Sequence, residues 1–391
     1  MTAKVALYSA VGAELTHYEV DVEEATLVRR KTVRVPANVQ YAWPHPSRHY
    51  LYVATSNRGP GLKADLNHIS AFAIDKRSGA LTPHGEPQTL RARAVHLCVE
   101  PRGGYILSAH NLPSSGISVN RINTDGTIGP EVKQPDALDF GNYPHQVMMT
   151  GQTVILVARG NDAADGKPED PGALKLFRFT DGVLSNLASI APDAGYGFGP
   201  RHLDFHPTRP WVYVSLERQN RLCMYRMSSD SLESDAAYSC DTLADPQNVK
   251  PRQLAGAIHV HPSGGYVYVI NRGDWKVNYE GNAVFGGGEN SIVVYAIDAR
   301  TGKATPTQHA DPRCIHVRTC AIDPTGRMMV AGSIKPINVR VGPGVTTAPA
   351  AMSVLRIGSD GKLDFVRKYD LDTDGRIHYW MGMVALPRNG I

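Results

Sequence analysis

Six short turn motifs recur along the chain at nearly even spacing. Each follows a short apolar strand pattern and precedes a second strand rich in Tyr, Val and Ile. The motifs are His45-Pro46, Glu100-Pro101, Thr150-Gly151, His206-Pro207, His261-Pro262 and Asp323-Pro324. The steps between them are 55, 50, 56, 55 and 62 residues. Repeats of this length, built from several short strands, are typical of the four-stranded blades of a β-propeller.

One repeat shows the predicted order of strands. Residues 201–205 form a first strand, 211–216 a second and 221–226 a third, while the fourth strand has a weaker pattern. The same order recurs after the other motifs, so that six repeats are complete. Each is interpreted as an antiparallel sheet joined by tight turns.

The two ends of the chain supply one more repeat. Residues 4–9, 14–20 and 25–33 are predicted as second, third and fourth strands with no first strand before them, and residues 377–386 as a first strand left over. We therefore expect an all-β fold, a seven-bladed β-propeller of four-stranded antiparallel blades in which a C-terminal strand joins the N-terminal blade. Residues 1–391 are predicted to be one domain. Such closure removes open sheet edges.

Charge and composition exclude several classes of protein. The net charge is +4 and the basic residues are dispersed, so no nucleic-acid-binding surface is indicated. No stretch approaches the roughly 18 apolar residues of a membrane span, and the start carries no apolar region of signal length, which predicts a cytoplasmic protein. The five cysteines are scattered without metal-ligand spacing, so no metal site is expected. No pattern sets the oligomeric state.

The long insertions indicate where a site lies. They follow the second strands and comprise residues 57–67, 111–115, 160–172, 273–290 and 335–349. In an antiparallel blade the start of the first strand and the end of the second lie on the same face. Because loops on a rigid scaffold commonly carry function, the channel opening on that face is the predicted pocket.

Counting from the turn motifs predicts which residues reach this opening. Five positions before each motif stand Gln40, Val95, His145, Arg201, Gly256 and Arg318. The residues eleven positions after the motifs are Ser56, Asn111, Glu217, Arg272 and Ile334. In the repeat after Thr150-Gly151, which is shorter, the corresponding residue is Gly160 or Asn161. Arginines gathered around one histidine and one carboxylate are typical of a site for a small anionic or polyhydroxylated molecule.

Every candidate also has a purely structural alternative. Glu217 is placed to form ion pairs with Arg218, Arg221 or Arg272. The arginines themselves are commonly salt-bridge partners between blades, and His145, which follows Pro144, is placed to hydrogen-bond a turn. His202 lies one residue deeper, where a bond to a neighbouring blade is the alternative.

Several segments resemble the seven-bladed lactonase family, which includes propeller-type 6-phosphogluconolactonases and 3-carboxy-cis,cis-muconate cyclases. The resemblance covers essentially the whole chain. It rests on residues 199–207 (GPRHLDFHP) with 212–217 (VYVSLE), on 257–262 (AIHVHP) with 267–272 (VYVINR), and on 143–145 (YPH). The family's proposed active site, a histidine, two arginines and a glutamate, falls on the positions His145, Arg201, Arg272 and Glu217. Counting from the turns reaches the same four positions.

The resemblance implies metal-independent opening of an aldonolactone without a cofactor. Glu217 is then the base that activates water, while Arg201 and Arg272 hold the substrate and stabilise the developing oxyanion. His145 orients the carbonyl or protonates the leaving alkoxide. The expected substrate-binding residues are Arg318, Asn111, Asn271 and His202.

Two other functions remain open at this point. A cycloisomerase would use the same cations to bind the carboxylates of a muconate, and His145 or Glu217 to move the proton. A non-catalytic propeller would bind a partner on the same face. Against the latter stand the absence of Trp-Asp at the end of any third strand and an opening lined by Arg, His and Glu instead of exposed aromatic residues.

Overall fold

Seven antiparallel sheets surround a central axis in the computed structural model, which describes residues 4–59, 62–164 and 166–387. The innermost strands contact one another in cyclic order, so the sheets form a closed ring. Within the described ranges the only helical element is a short 3₁₀ turn, Pro192–Gly195. The predicted fold, an all-β propeller of seven blades, is confirmed.

The blades are numbered in chain order and their strands from the axis outward. Blade 1 consists of β33 (His378–Ala385), β1 (Val5–Val11), β2 (Glu14–Asp21) and β3 (Thr26–Arg34). Blade 2 consists of β4 (Val39–Pro44), β5 (Tyr50–Ser56), β6 (Asn67–Ile74) and β7 (Leu81–Pro83), and β8 (Gln88–Thr89) also pairs with β6. Blade 3 consists of β9 (Arg93–Val99), β10 (Tyr105–Leu112), β11 (Gly116–Ile122) and β12 (Ile128–Glu131). Blades 4 and 5 consist of β13 (Pro144–Thr150), β14 (Thr153–Ala158), β15 (Ala173–Thr180) and β16 (Val183–Ile190); and β17 (Pro200–Phe205), β18 (Trp211–Leu216), β19 (Arg221–Arg226) and β20 (Tyr238–Asp241). Blades 6 and 7 consist of β21 (Leu254–Val260), β22 (Tyr266–Arg272), β25 (Ser291–Ile297) and β26 (Ala304–Ala310); and β27 (Val317–Ile322), β28 (Met328–Ser333), β31 (Ala350–Ile357) and β32 (Leu363–Leu371).

Two of the predicted insertions contain hairpins of their own. β23 (Lys276–Tyr279) pairs with β24 (Asn282–Phe285), and β29 (Ile337–Val341) pairs with β30 (Gly344–Ala348). The two hairpins touch, since the Tyr279 hydroxyl donates to the Pro343 carbonyl at 3.2 Å. The insertion predicted over residues 111–115 is shorter than expected, because β10 continues through Leu112.

Burial explains which strands have a clear pattern in the sequence. Second strands such as β14 and β18 are buried along their whole length, because both faces of each blade pack against a neighbour. They therefore read as continuous apolar runs. The outer strands β16 and β32 leave more than half of their side chains exposed, which weakens their pattern. The core is divided into seven apolar clusters, one between each pair of adjacent blades.

A repeated tyrosine–glycine hydrogen bond ties neighbouring blades together. In four blades a buried tyrosine of the second strand donates to a glycine carbonyl in the outer turn of the next blade, at 2.7–2.9 Å. The pairs are Tyr8–Gly79, Tyr52–Gly126, Tyr213–Gly302 and Tyr268–Gly361. All four glycines have a positive φ between 76° and 86°. The sequence therefore needs glycine at these turns.

The histidines of the turn motifs form a second set of links between blades. His45, His206 and His261 each reach a glycine carbonyl in the inner turn of the next blade, at 2.7–3.1 Å. In His45 the Nδ1 atom accepts the backbone N–H of Ser47, so Nε2 carries the hydrogen and donates. These His-Pro pairs therefore shape a turn and also fix the neighbouring blade.

The ring closes where the last strand pairs with the first. β33 runs antiparallel to β1 in a register from Val5↔Ala385 to Ala10↔Trp380. The apolar cluster behind this sheet joins Leu7 of blade 1 to Met328 and Val330 of blade 7. The predicted split blade is confirmed.

We expect Gly126→Ala to destabilise the protein more than Gly151→Ala. Both glycines have a positive φ, so alanine carries the left-handed strain of about 1–2 kcal/mol at either site. At Gly126 the new methyl group also collides with the Tyr50 ring, whereas nothing lies within 4 Å at Gly151. The extra cost at Gly126 is about 1–3 kcal/mol in urea unfolding. Equal losses in the two variants would contradict the close blade contact.

Candidate active site

The first strand of every blade carries a β-bulge near its start. Pairing with the second strand skips one residue there, or two in blade 6. The skipped residues are Gln40, Val95, His145, Arg201, Gly256 with Ala257, Arg318 and Tyr379. A bulge turns a side chain out of the regular alternation. Apart from Gly256, these residues line the central space, so the bulges form one ring of positions around the axis.

Two connected spaces lie along this axis. The mouth includes the ends of the second strands and parts of the insertions, among them Asn111, Glu217, Arg272, Ile334, Leu62 and Asp162. The inner cavity lies next to it and includes Arg201, His202 and Asp204. Five residues line both spaces and define the neck: Gln40, Val95, His145, Arg318 and Tyr379.

Glu217 is surrounded by three guanidinium groups. Its Oε2 accepts from Arg159 Nη1 at 2.8 Å, and its Oε1 lies 2.9 Å from Arg201 Nε. Arg272 Nη2 also donates to Oε1. The Glu217 side chain is only 6% exposed, and those of Arg201 and Arg272 are 2% and 5% exposed. Three blades thus meet at one buried carboxylate.

These contacts fix the charge of Glu217. Burial raises the pKa of Glu217, but the charges of Arg272, Arg201 and Arg159 outweigh burial and lower it to about 2. The carboxylate is therefore ionised at neutral pH.

Arg218 and Arg221, the other arginines that the sequence places near Glu217, have different partners. Arg218 pairs with Asp162 and Glu169, and Arg221 pairs with Asp241.

Arg318 and Arg93 face the neck without a carboxylate partner among the described residues. The Arg318 guanidinium carbon lies 4.0 Å from the centroid of the Tyr379 ring. Arg93 donates from Nε to Gln40 Oε1 at 2.8 Å and from Nη2 to the Tyr379 hydroxyl at 2.9 Å. Each cation is thus oriented by neutral groups and keeps its charge uncompensated.

Positive charge is concentrated at the mouth. The charged residues that line it are the arginines Arg58, Arg93, Arg159, Arg252, Arg272 and Arg318 and the carboxylates Asp162 and Glu217. Six cations thus face two anions, although the whole chain has a net charge of only +4. Such an excess attracts and holds an anion.

His145, at the neck, and His202, in the inner cavity, are neutral. Burial and the charge of Arg201 lower the pKa of His145 and of His202 well below the usual range. Their ring centroids are 4.9 Å apart. His202 Nδ1 lies 3.1 Å from Arg201 Nη1, while the buried His145 Nδ1 has no hydrogen-bond partner among the described residues. Because His145 lines both the mouth and the inner cavity, its ring faces the space that a ligand would occupy.

Most of the residues singled out from the sequence meet at this place. Glu217, Arg201 and Arg272 are in direct contact. The others that line the mouth or the inner cavity are His145, Arg318, Asn111 and His202. Asn111 is 5% exposed, and neither polar atom of its side chain has a hydrogen-bond partner among the described residues.

Asn271, predicted to bind substrate, does not belong to this set. It is fully buried, and its amide nitrogen donates to Glu289 Oε1 and to Ser291 Oγ, each at 3.1 Å. Neither the mouth nor the inner cavity includes it. Strand alternation explains this placement, because consecutive residues of β22 point to opposite faces and Arg272 takes the face toward Glu217.

Three site residues escape the sequence reasoning. Arg159 lies one position before Gly160, the first of the two residues considered in the shortened repeat. Arg93 lies two positions before Val95, the residue considered in its own repeat. Tyr379 stands in β33, which has no turn motif after it from which to count. The signal for Tyr379 was nevertheless present, because residues 377–386 were predicted as a first strand and such strands place their early residues at the neck.

No cluster of three His, Cys, Asp or Glu side chains within residues 4–59, 62–164 and 166–387 has the geometry to hold a metal ion. In the same ranges no helix is long and apolar enough to cross a membrane.

Comparison with characterised sequences reveals distant relatives. A 6-phosphogluconolactonase of Bacillus subtilis is 25% identical over 343 residues, which covers 84% of this chain and 87% of that protein. A 6-phosphogluconolactonase of Yersinia pestis is 25% identical over 316 residues, covering 72% of this chain and 86% of that protein.

Solved structures share the architecture. The periplasmic gluconolactonase PpgL of Pseudomonas aeruginosa superposes with a TM-score of 0.73 at 18% identity, covering 98% of this chain and 100% of that one. A putative 6-phosphogluconolactonase of Bacteroides uniformis gives a TM-score of 0.71, also at 18% identity and with the same coverage. At these identities the likeness concerns the fold alone. The cytoplasmic location predicted from the sequence stays a prediction.

The family described as "Lactonase, 7-bladed beta-propeller" matches residues 2–341, which is most of the chain. This match agrees with the seven observed sheets and with the segments around Arg201, Glu217 and Arg272 on which the resemblance rested. The chain belongs to the seven-bladed β-propeller lactonase family.

Proposed function

We propose that this protein hydrolyses an aldonolactone that carries an anionic group, of the kind named by its 6-phosphogluconolactonase relatives. The observation that carries the proposal is the excess of arginine over carboxylate at the mouth. A neutral sugar lactone does not require this charge, whereas a phosphate or carboxylate on the substrate would compensate it.

Arg318 is the proposed receptor for that anionic group. It has no carboxylate partner among the described residues and lines both the mouth and the inner cavity. Stacking on Tyr379 orients its guanidinium plane. A phosphate or carboxylate would accept two parallel N–H bonds from such a fixed group.

Arg201 and Arg272 are the proposed stabilisers of the oxyanion. Water attack on the lactone carbonyl places negative charge on the carbonyl oxygen, and cations fixed in advance lower the free energy of that state. Their partner Glu217 holds them in place. A loss of about 2.7–4 kcal/mol of transition-state stabilisation is typical when one donor of this kind is removed.

For Glu217 we propose a role other than the base expected from the sequence. A carboxylate with a pKa of about 2, and with both oxygens already in contact with arginines, accepts a proton poorly near neutral pH. Its proposed function is to position Arg159, Arg201 and Arg272. The neutral His145 is proposed to bond the lactone through a ring nitrogen.

The direct test is hydrolysis of three substrates by the purified protein. We expect fast opening of 6-phosphogluconolactone, slower opening of gluconolactone and no change in 3-carboxy-cis,cis-muconate, followed by acid release and by ultraviolet absorbance. Cyclisation of the muconate without lactone hydrolysis would contradict the proposal and would favour the cycloisomerase, because the same cations fit a polycarboxylate. Inertness toward all three would contradict both enzymatic functions.

Arg318→Gln is expected to raise KM for the phosphorylated lactone about tenfold to hundredfold, with a smaller effect on gluconolactone. The variant loses one charged hydrogen-bonding group, worth about 1.5–3 kcal/mol. The ratio of the two KM changes isolates the contact with the anionic group from other effects on the site. Arg313→Gln is the matched control, because Arg313 lies in the loop just before the strand of Arg318 but is 64% exposed. Equal KM changes for both lactones would contradict the assignment.

Glu217→Gln is expected to lower the free energy of unfolding by about 3–5 kcal/mol, because three arginines lose their buried partner. The pKa of Glu217 in the folded protein lies below the ordinary value of 4.5. The contribution of this carboxylate to the free energy of unfolding is therefore fully present above pH 4.5 and is lost as the pH falls toward about 2. Urea unfolding across this pH range measures it.

The matched control for this variant is Glu233→Gln. Its ion pair with Arg226 is about half exposed, so a loss of 0–1 kcal/mol is expected. If Glu217→Gln retained full stability and full lactonase activity, neither the positioning role nor the role of base would stand.

A further inference from the structure

Tyr379 completes the ring of bulged residues. In blade 1 the pairing of β33 with β1 passes from Trp380 to His378 and skips Tyr379. This is the position that His145, Arg201 and Arg318 occupy in their own blades. Tyr379 lines both the mouth and the inner cavity, so its side chain stands at the neck through which both spaces connect.

Among the described residues the Tyr379 hydroxyl accepts a hydrogen bond but donates none. Arg93 Nη2 donates to this oxygen at 2.9 Å. Guanidinium groups have no acceptor, so neither Arg93 nor Arg318 receives the hydroxyl hydrogen. Within the described residues no acceptor for that hydrogen is present. The O–H group therefore has its proton free for a ligand or water in the central space.

The arginines of the site act on three kinds of acid. The charges of Arg272, Arg201 and Arg159 hold the pKa of Glu217 at about 2, and burial together with the charge of Arg201 holds that of His145 well below its usual range. Burial raises the pKa of Tyr379, but the charges of Arg318, Arg93 and Arg201 outweigh burial and lower it to about 8. A general base is most effective when its pKa lies near the working pH. The phenol of Tyr379 has the highest ordinary pKa of the three groups, so it is the group whose pKa the arginines bring near the working pH.

Charged and titratable groups face Tyr379 from several blades. Those that line the neck, the mouth or the inner cavity with it are Arg93, Arg318, Arg201, Arg272, Arg159, Arg58, Arg252, Glu217, Asp162, Asp204, His145, His202, His259, Tyr41, Tyr143 and Cys320. Arginines predominate among them, and Glu217 is already shared by three of these arginines. The net field at the hydroxyl therefore favours the phenolate.

We propose that Tyr379 is the proton-transfer residue of the lactonase reaction, an inference that rests on the proposed function. The Tyr379 oxygen takes a proton from water as the water oxygen bonds to the lactone carbonyl carbon and the carbonyl π electrons move to oxygen. The carbonyl then re-forms, and the bond from carbon to the ring oxygen breaks with its electron pair on that oxygen. Tyr379 returns its proton to the leaving alkoxide, and the new carboxylic acid ionises to solvent.

The first measurement needs no substrate. Ultraviolet difference spectroscopy of the wild-type protein during a pH titration is expected to show one tyrosine ionising near pH 8, well before the others. Tyr379→Phe is expected to lack this ionisation. Tyr225→Phe is the matched control: Tyr225 is buried in β19, away from the mouth, so the titration near pH 8 remains.

The second measurement is the pH dependence of kcat/KM for the lactone. In the wild type kcat/KM rises with pH as Tyr379 loses its proton and levels off above about pH 8. Tyr379→Phe is expected to lower kcat/KM by about 100-fold or more and to abolish that rise, whereas Tyr225→Phe retains both the rate and the profile.

The outcomes separate this inference from the function on which it rests. A wild-type protein that hydrolyses the lactone without a tyrosine ionising near pH 8, or a Tyr379→Phe variant with the wild-type pH profile, would overturn the role of Tyr379 alone. A protein with the expected tyrosine ionisation that opens no lactone would overturn the proposed function, and the catalytic role with it.

Discussion

The structure depends on the antiparallel pairing of the last strand with the first. Val5 lies opposite Ala385, so one sheet joins the two ends of the chain and closes the ring. Without β33, Leu7 of blade 1 would lose the strand beside its own, and the apolar cluster that it shares with Met328 of blade 7 would lose Met381. The same strand brings Tyr379 to the neck. Ring closure and assembly of the site are thus one event, because residues from blades 4, 5, 6, 7 and 1 face one another only in the closed ring.

Within that ring, positive charge decides the chemistry. Three arginines share Glu217, and Arg93 and Arg318 are held by neutral groups, so the site keeps an excess of cations in a buried place. A field of this sign favours the less positive form of each group: it keeps the carboxylate ionised, adds to burial in keeping His145 and His202 neutral, and would stabilise the oxyanion or phosphate of the proposed substrate. Cations without a carboxylate partner in a buried place break the usual rule of paired charges, as functional sites commonly do.

Much of this could be predicted from the sequence because the repeat carries its own geometry. Counting from the turn motifs located Arg201, Glu217 and Arg272, since the distance from turn to site is the same in blades 5 and 6. It failed where a blade departs from the repeat: in blade 4, which contains Arg159, the turn between the first two strands is shorter, and Tyr379 lies in a strand with no turn motif after it. The bulges that aim these side chains, and the number of arginines sharing Glu217, depend on contacts between blades and have no local sequence signal.

The most direct test of the account is a crystal structure of the protein soaked with 6-phosphogluconate, the product of the proposed reaction. The account predicts one ligand in the mouth, with its phosphate or carboxylate within hydrogen-bond distance of Arg318 and with another oxygen facing Arg201 or Arg272. An empty mouth with the ligand bound elsewhere on the propeller would contradict it.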